Sequence, residues 1–127
     1  MQYYFSKKLN IAFNDAIARV TDELKKEGFG ILTEIDVQAA IKKKLNVDFR
    51  KYQILGACNP PFAHKALQAE DKIGTMLPCN VIVQETEGGA EVAAIDPVAS
   101  MQAVENPALQ EIASEIQRKL KKVIESL

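Results

Sequence analysis

Asn80-Val81-Ile82-Val83-Gln84-Glu85, then Gly88-Gly89, then Glu91-Val92-Ala93-Ala94-Ile95: this run decides the fold. Two apolar segments flank a glycine pair, the turn chemistry that joins adjacent antiparallel strands. Strand alternation puts Val81 and Val83 on one side, and Cys79, two residues earlier, shares their phase. The apolar face of such a hairpin needs a cover. Asp96-Pro97 and Asn106-Pro107 both read as a cap followed by a helix-starting proline. Beyond Asn106, Leu109, Ile112, Ala113, Ile116, Leu120, Val123 and Ile124 form one long amphipathic stripe. Such a helix belongs across a sheet face.

Upstream of the hairpin, strands and helices alternate at short spacing. Lys51 to Ala57 is predicted as a strand with Tyr52, Ile54 and Gly56 on one face, and Cys58 continues that phase. Asn59 and Pro60 read as the N-cap and first residue of a short helix through Leu67, and Ile73 to Leu77 as a brief strand or extended loop. Gln2 to Lys8 is aromatic-rich and reads as the first strand. Ala12 to Glu27 is a helix whose Phe13, Ile17, Val20 and Leu24 share a face and which Gly28 stops. Phe29 to Ile35 is a strand with Phe29, Ile31, Thr33 and Ile35 on one side, and Asp36 caps the helix that follows. The expectation is one α+β domain spanning residues 1–127, a mainly antiparallel sheet with helices packed on one face. The other face is then either solvated or paired with a second copy of the chain.

Composition narrows the function classes. Of 127 residues, 47% are hydrophobic and 26% charged, with 16 basic and 17 acidic side chains. A net charge of -1 gives no general electrostatic hold on nucleic acid or an anionic membrane. The lysine clusters at 42–44 and at 119, 121 and 122 fall late in predicted helices, where cations suit the helix dipole. No apolar run reaches membrane-spanning length, and the N-terminal residues lack the apolar core of a secretory signal. The expected setting is cytoplasmic, with reduced thiols.

The chemistry-bearing residues are few: Cys58, His64 and Cys79, the only cysteines and the only histidine of the chain, lie within a short span. By phase Cys79 points inward with Val81, and Cys58 points inward if Ile54 does, so the two thiols face each other when their strands are neighbours. Three readings stand side by side. Two thiolates and an imidazole suit zinc or another soft metal. Cys58, at a strand-to-helix junction where the helix dipole favours thiolate, suits a nucleophile or redox thiol with His64 as base and Cys79 as resolving partner. Free cysteines are also among the most buried residue types and pack as small hydrophobes. Asn59 is expected to cap its helix. Asn80 is free either to bond its own backbone or, with Asn59, to bind a polar ligand.

Tyr52-Gln53-Ile54-Leu55-Gly56-Ala57-Cys58-Asn59-Pro60, Ala63-His64-Lys65-Ala66-Leu67, Ile73-Gly74, Leu77-Pro78-Cys79-Asn80-Val81 and the earlier Gly28-Phe29-Gly30-Ile31-Leu32-Thr33-Glu34-Ile35-Asp36 together resemble the domain-of-unknown-function family 302. The resemblance covers nearly the whole chain. It implies a small α+β fold of the TATA-binding-protein-like class, often homodimeric, and neither DNA binding nor an established activity. It also implies that the family's shared residues fall on Cys58, Asn59, Pro60, His64, Pro78, Cys79 and Asn80. The expected function is therefore binding of a soft metal or a small thiol-reactive ligand at a pocket of Cys58, Asn59, His64, Cys79 and Asn80, with Cys58, His64 and Cys79 as the metal set. The alternatives are a homodimeric interaction module with structural cysteines and a thiol-based enzyme.

Overall fold

The computed structural model describes residues 2–127. Five strands run β1 (Tyr4–Leu9), β2 (Gly30–Asp36), β3 (Tyr52–Cys58), β4 (Cys79–Thr86) and β5 (Gly89–Ile95). They form one sheet in the order β1-β5-β4-β3-β2, every neighbouring pair antiparallel. The helices are α1 (Phe13–Lys26), α2 (Val37–Leu45), α3 (Pro60–Ala69), α4 (Pro97–Ser100) and α5 (Pro107–Glu125). The fold is the expected α+β arrangement, an open antiparallel sheet with helices. The β4–β5 hairpin closes at Gly88, whose φ of +81° needs no Cβ to be accommodated.

Helices α1 and α5 cover the sheet face made by Leu55, Ala57, Val81, Val83, Ala90, Val92 and Ala94. With Ala16, Val20 and Leu24 of α1 and Ile116, Leu120, Val123 and Ile124 of α5, these residues make the main core. Lys7 reaches from β1 to donate to the carbonyls of Glu125 and Leu127, placing a cation at the negative end of α5. A second, smaller core gathers Ala66, Ile73, Met101, Leu109 and Ala113 beyond the end of the sheet. The segment expected to be a strand or loop at 73–77 is here a 3₁₀ turn, Asp71–Met76. Ile73 is driven into the second core from that turn, which a strand running on from β4 could not do.

Polar pins hold the smaller core in place. Asp96 accepts from the backbone N–H of Val98 at 3.0 Å and from Gln117 Nε2 at 3.1 Å, tying the cap of α4 to the middle of α5. Asn106 caps α5 through the N–H of Ala108 and donates from Nδ2 to the carbonyl of Ala69 at 2.8 Å, fixing the start of α5 to the end of α3. Both cap-then-proline readings therefore hold, as does Asp36, which accepts from Ala39 N at 2.9 Å.

Two strand phases differ from expectation. In β3 the core face carries Leu55 and Ala57, and Ile54 lies on the open face. Both phases of that strand are apolar, so alternation could not choose between them. In β2 a bulge falls between Ile31 and Thr33: Ile31 pairs with Ala57, whereas Thr33 pairs with Gly56. The extra residue, Leu32, shifts the phase, so Ile31 and Ile35 do not share a face. The open face carries a row, Ile35, Ile54, Ile82, Ala93 and Ser6, running straight across all five strands.

Gly89 is where strand pairing is tightest, since a Cβ there would lie 2.0 Å from the carbonyl oxygen of Leu9, a backbone atom that cannot step aside. Gly89→Ala is expected to cost about 1–3 kcal/mol in urea unfolding. Gly30→Ala, whose Cβ meets nothing within 4 Å, should stay within about 0.5 kcal/mol of wild type. Equal effects at the two sites would refute this account of the β1–β5 edge.

Candidate functional site

A cleft of about 310 Å³ opens at the seam between the two cores. Its walls come from Phe29 and Leu32, the end of β3 and start of β4, one side of α3, and the N-terminal half of α5. Four alanines, Ala57, Ala63, Ala66 and Ala113, line it where larger side chains would close it. Leu32, 66% exposed, and Leu67, 43% exposed, stand in the lining and show where it meets solvent. The bulge in β2 is what turns Leu32 to this place.

Cys58 and Cys79 both line the cleft, as free thiols. Cys79 follows expectation: it pairs with Ala57 and lies in the core phase of β4. Cys58 arrives by a different route from the one its phase implied. It is the last residue of β3, where the chain leaves the sheet for α3, so the face assignment of Ile54 does not govern it. Burial holds Cys79 in its neutral form and, with the charge of nearby Cys58 adding to the effect, lifts its pKa from 9.0 to about 11.

Asn59 lines the cleft too, 7% exposed, but it is not the expected cap. Its side chain makes no bond to the first turn of α3. It donates from Nδ2 to the carbonyl of Glu27 at 3.1 Å, crossing to the end of α1. Gly28, at φ +88°, lies against that amide: a Cβ there would come within 3.1 Å of Asn59 Nδ2. Asn59 and Gly28 are thus a matched pair that ties α3 to α1.

His64 lies exposed on α3, outside the lining, and Asn80 is exposed on the open-face phase of β4. Among the described residues, no group of three or more His, Cys, Asp or Glu side chains stands where it could hold a metal ion. The structure therefore brings together Cys58, Asn59 and Cys79 of the expected set and leaves His64 and Asn80 apart. What sequence reasoning missed is the apolar remainder of the wall, above all Phe62, Ala66, Met101, Leu109 and Ala113. The stripe of α5 signalled only that these positions are apolar, not that they would face a void.

Asn59 has the only amide, hydroxyl or charged side chain in the lining, and among the described residues no buried side-chain nitrogen or oxygen lacks a partner. The cleft is therefore a carbon-walled space with two thiol groups on it. A family model, domain of unknown function DUF302, matches residues 5–127. The chain belongs to the DUF302 family. It is similar to the crystal structure of an uncharacterized conserved DUF302 protein from Bacillus stearothermophilus, with a TM-score of 0.91 and 28% identity over 98% of each chain. No protein with a curated description matches it. Every wall of the cleft falls inside the DUF302 match, and among the described residues no helix of this DUF302 chain is long and apolar enough to cross a membrane.

The raised pKa of Cys79 has a definite sign. The folded state keeps the proton longer than the unfolded chain, so this contribution to stability is whole below about pH 9 and is lost as pH rises towards about 11. The difference in unfolding free energy between wild type and Cys79→Ala should shrink by about 2–3 kcal/mol across that window. A difference that stays flat from pH 8 to 11.5 would show that Cys79 is not buried as described.

Proposed function

We propose that this protein binds a small, mainly apolar molecule in the seam cleft, against the sulfurs of Cys58 and Cys79. One observation carries the reading: a concave space of about 310 Å³ whose lining offers no unsatisfied polar group. At about 30 Å³ per water-sized group, it suits about ten non-hydrogen atoms. Ligand sites are usually such clefts, apolar with a few polar groups at fixed places.

Other readings are less well supported. A thiol enzyme needs an accessible thiolate and a base, whereas the Cys79 thiol is pushed up to about 11 and His64 lies outside the lining. A soft-metal site would have to work from the two sulfurs alone. The open sheet face is the place for self-association. Five strands of six to eight residues give a patch of about 550 Å² per copy, whereas specific interfaces bury about 800 Å² per partner. Pairing through that face alone would be weak.

The test is calorimetric titration of the full chain with 1-octanol. Saturable one-to-one binding is expected. Ala113→Leu, which grows a side chain into the cleft, should weaken binding by at least about tenfold, while thermal unfolding confirms that the variant stays folded. Absence of saturable binding, or binding indifferent to Ala113→Leu, would overturn the reading.

A further inference from the structure

Phe62 stands in the wall of the cleft, and two lysines converge on its ring. Lys65 Nζ, from the same helix α3, lies 5.5 Å from the ring centroid, and Lys119 Nζ, from α5, lies 5.9 Å from it. The negative face of the ring attracts each ammonium group but supplies no counter-charge to either. Nearby carboxylates do not relieve it. Glu115, one turn before Lys119 on α5, is engaged by Arg118, and Glu27 is paired with Lys122 at 3.3 Å. Among the described residues neither Lys65 nor Lys119 takes part in an ion pair. An apolar cleft thus has, beside one of its wall rings, two cations with no anion.

We infer that the ligand of the cleft is an amphiphile whose apolar body lies in the seam and whose anionic head is held by Lys65 and Lys119. This rests on the cleft being a binding site and adds the chemical class of its occupant. The size limits the class to short chains: a carboxylate with an apolar tail of about seven to ten carbons fills a space of about ten heavy atoms. Carboxylate and phosphate heads are both anionic oxygen clusters that two ammonium groups can hold, and lysine acts on either as a point charge. The lysines do not read the body, and the seam does not read the head, so the two parts of the recognition are separable.

Separate titrations of the full chain with octanoate, octyl phosphate, 1-octanol and octylammonium, at low ionic strength and neutral pH, test this. Octanoate or octyl phosphate should bind at least about tenfold more tightly than 1-octanol, and octylammonium more weakly than 1-octanol. The preference between the two anions identifies the head. Raising the salt to about 0.5 M should erase the anionic advantage, because the lysines lie at the solvent side and are screened. In the double variant Lys65→Gln, Lys119→Gln the anions should fall to the affinity of 1-octanol, which itself stays as in wild type. If the anions bind no better than 1-octanol, or keep their advantage in the double variant, the inference fails while the apolar cleft stands. If none of the four binds, both fail together.

Discussion

Helix α5 is longer than the surface available to it, and the rest of the molecule answers that constraint. Its 19 residues extend about 28 Å. Only the C-terminal half, through Ile116, Leu120, Val123 and Ile124, lies over the sheet. The same apolar stripe continues towards the N-terminus through Leu109 and Ala113, beyond the strands, where it would face water. Leaving large apolar side chains exposed forfeits about 1.5–3 kcal/mol each. The long connection from β3 to β4 supplies the missing cover with α3 and the 3₁₀ turn, and α4 adds Met101. Two cores therefore share one helix. Where one ends and the other begins, the packing is made by alanines from β3, α3 and α5, whose side chains are too short to meet across the gap. The cleft is the geometric remainder of joining a sheet core to a helical one.

That origin explains what could be read in advance. The hairpin was legible because glycines and alternation coincide at 80–95, and the caps because Asp96-Pro97 and Asn106-Pro107 combine two local signals. The strand phase of β3 was not, since Tyr52, Ile54 and Gly56 are as apolar as Leu55 and Ala57, and only the register with Val81 and Val83 chooses between them. The bulge at Leu32 leaves no trace in a segment whose every second residue fits a strand. Asn59 carried the composition of a cap, but its position against Gly28 drew the amide away to the Glu27 carbonyl. Of the site, the cysteines were legible by their rarity. The alanines were not, because an alanine that packs and an alanine that leaves room are the same letter.

The sulfurs take their character from this setting. A thiol at a helix start is often activated by dipole and free N–H groups, but α3 begins with Pro60 and Pro61, which carry no N–H to donate. Cys79 sits deeper, where apolar walls penalise a thiolate and a neighbouring thiol penalises it again. Burial removes nucleophilicity from Cys79, and both thiols are polarizable, weakly polar groups that suit contact with carbon and with π faces such as Phe62. A cysteine serves here where a serine would leave a hydroxyl seeking a partner in a wall that offers none, at a cost of about 1–3 kcal/mol.

The placement of charge follows the same economy. Inside the seam a cation would lose its hydration with nothing to replace it. Outside the lining, the ammonium groups of Lys65 and Lys119 lie near the Phe62 ring without entering the seam. The pinning bonds at Asn106 and Asp96–Gln117 lie outside the lining, and Asn59, the one amide within it, is spent on the Glu27 carbonyl, so together they fix α1, α3, α4 and α5 relative to one another. A void of this kind is normally lost by collapse of its walls, and collapse is what large-to-small substitutions in ordinary cores partly achieve. Here the walls belong to helices tied to one another by side-chain hydrogen bonds, which oppose their closing together. The cleft persists because polar bonds hold its frame while its lining, Asn59 apart, is apolar.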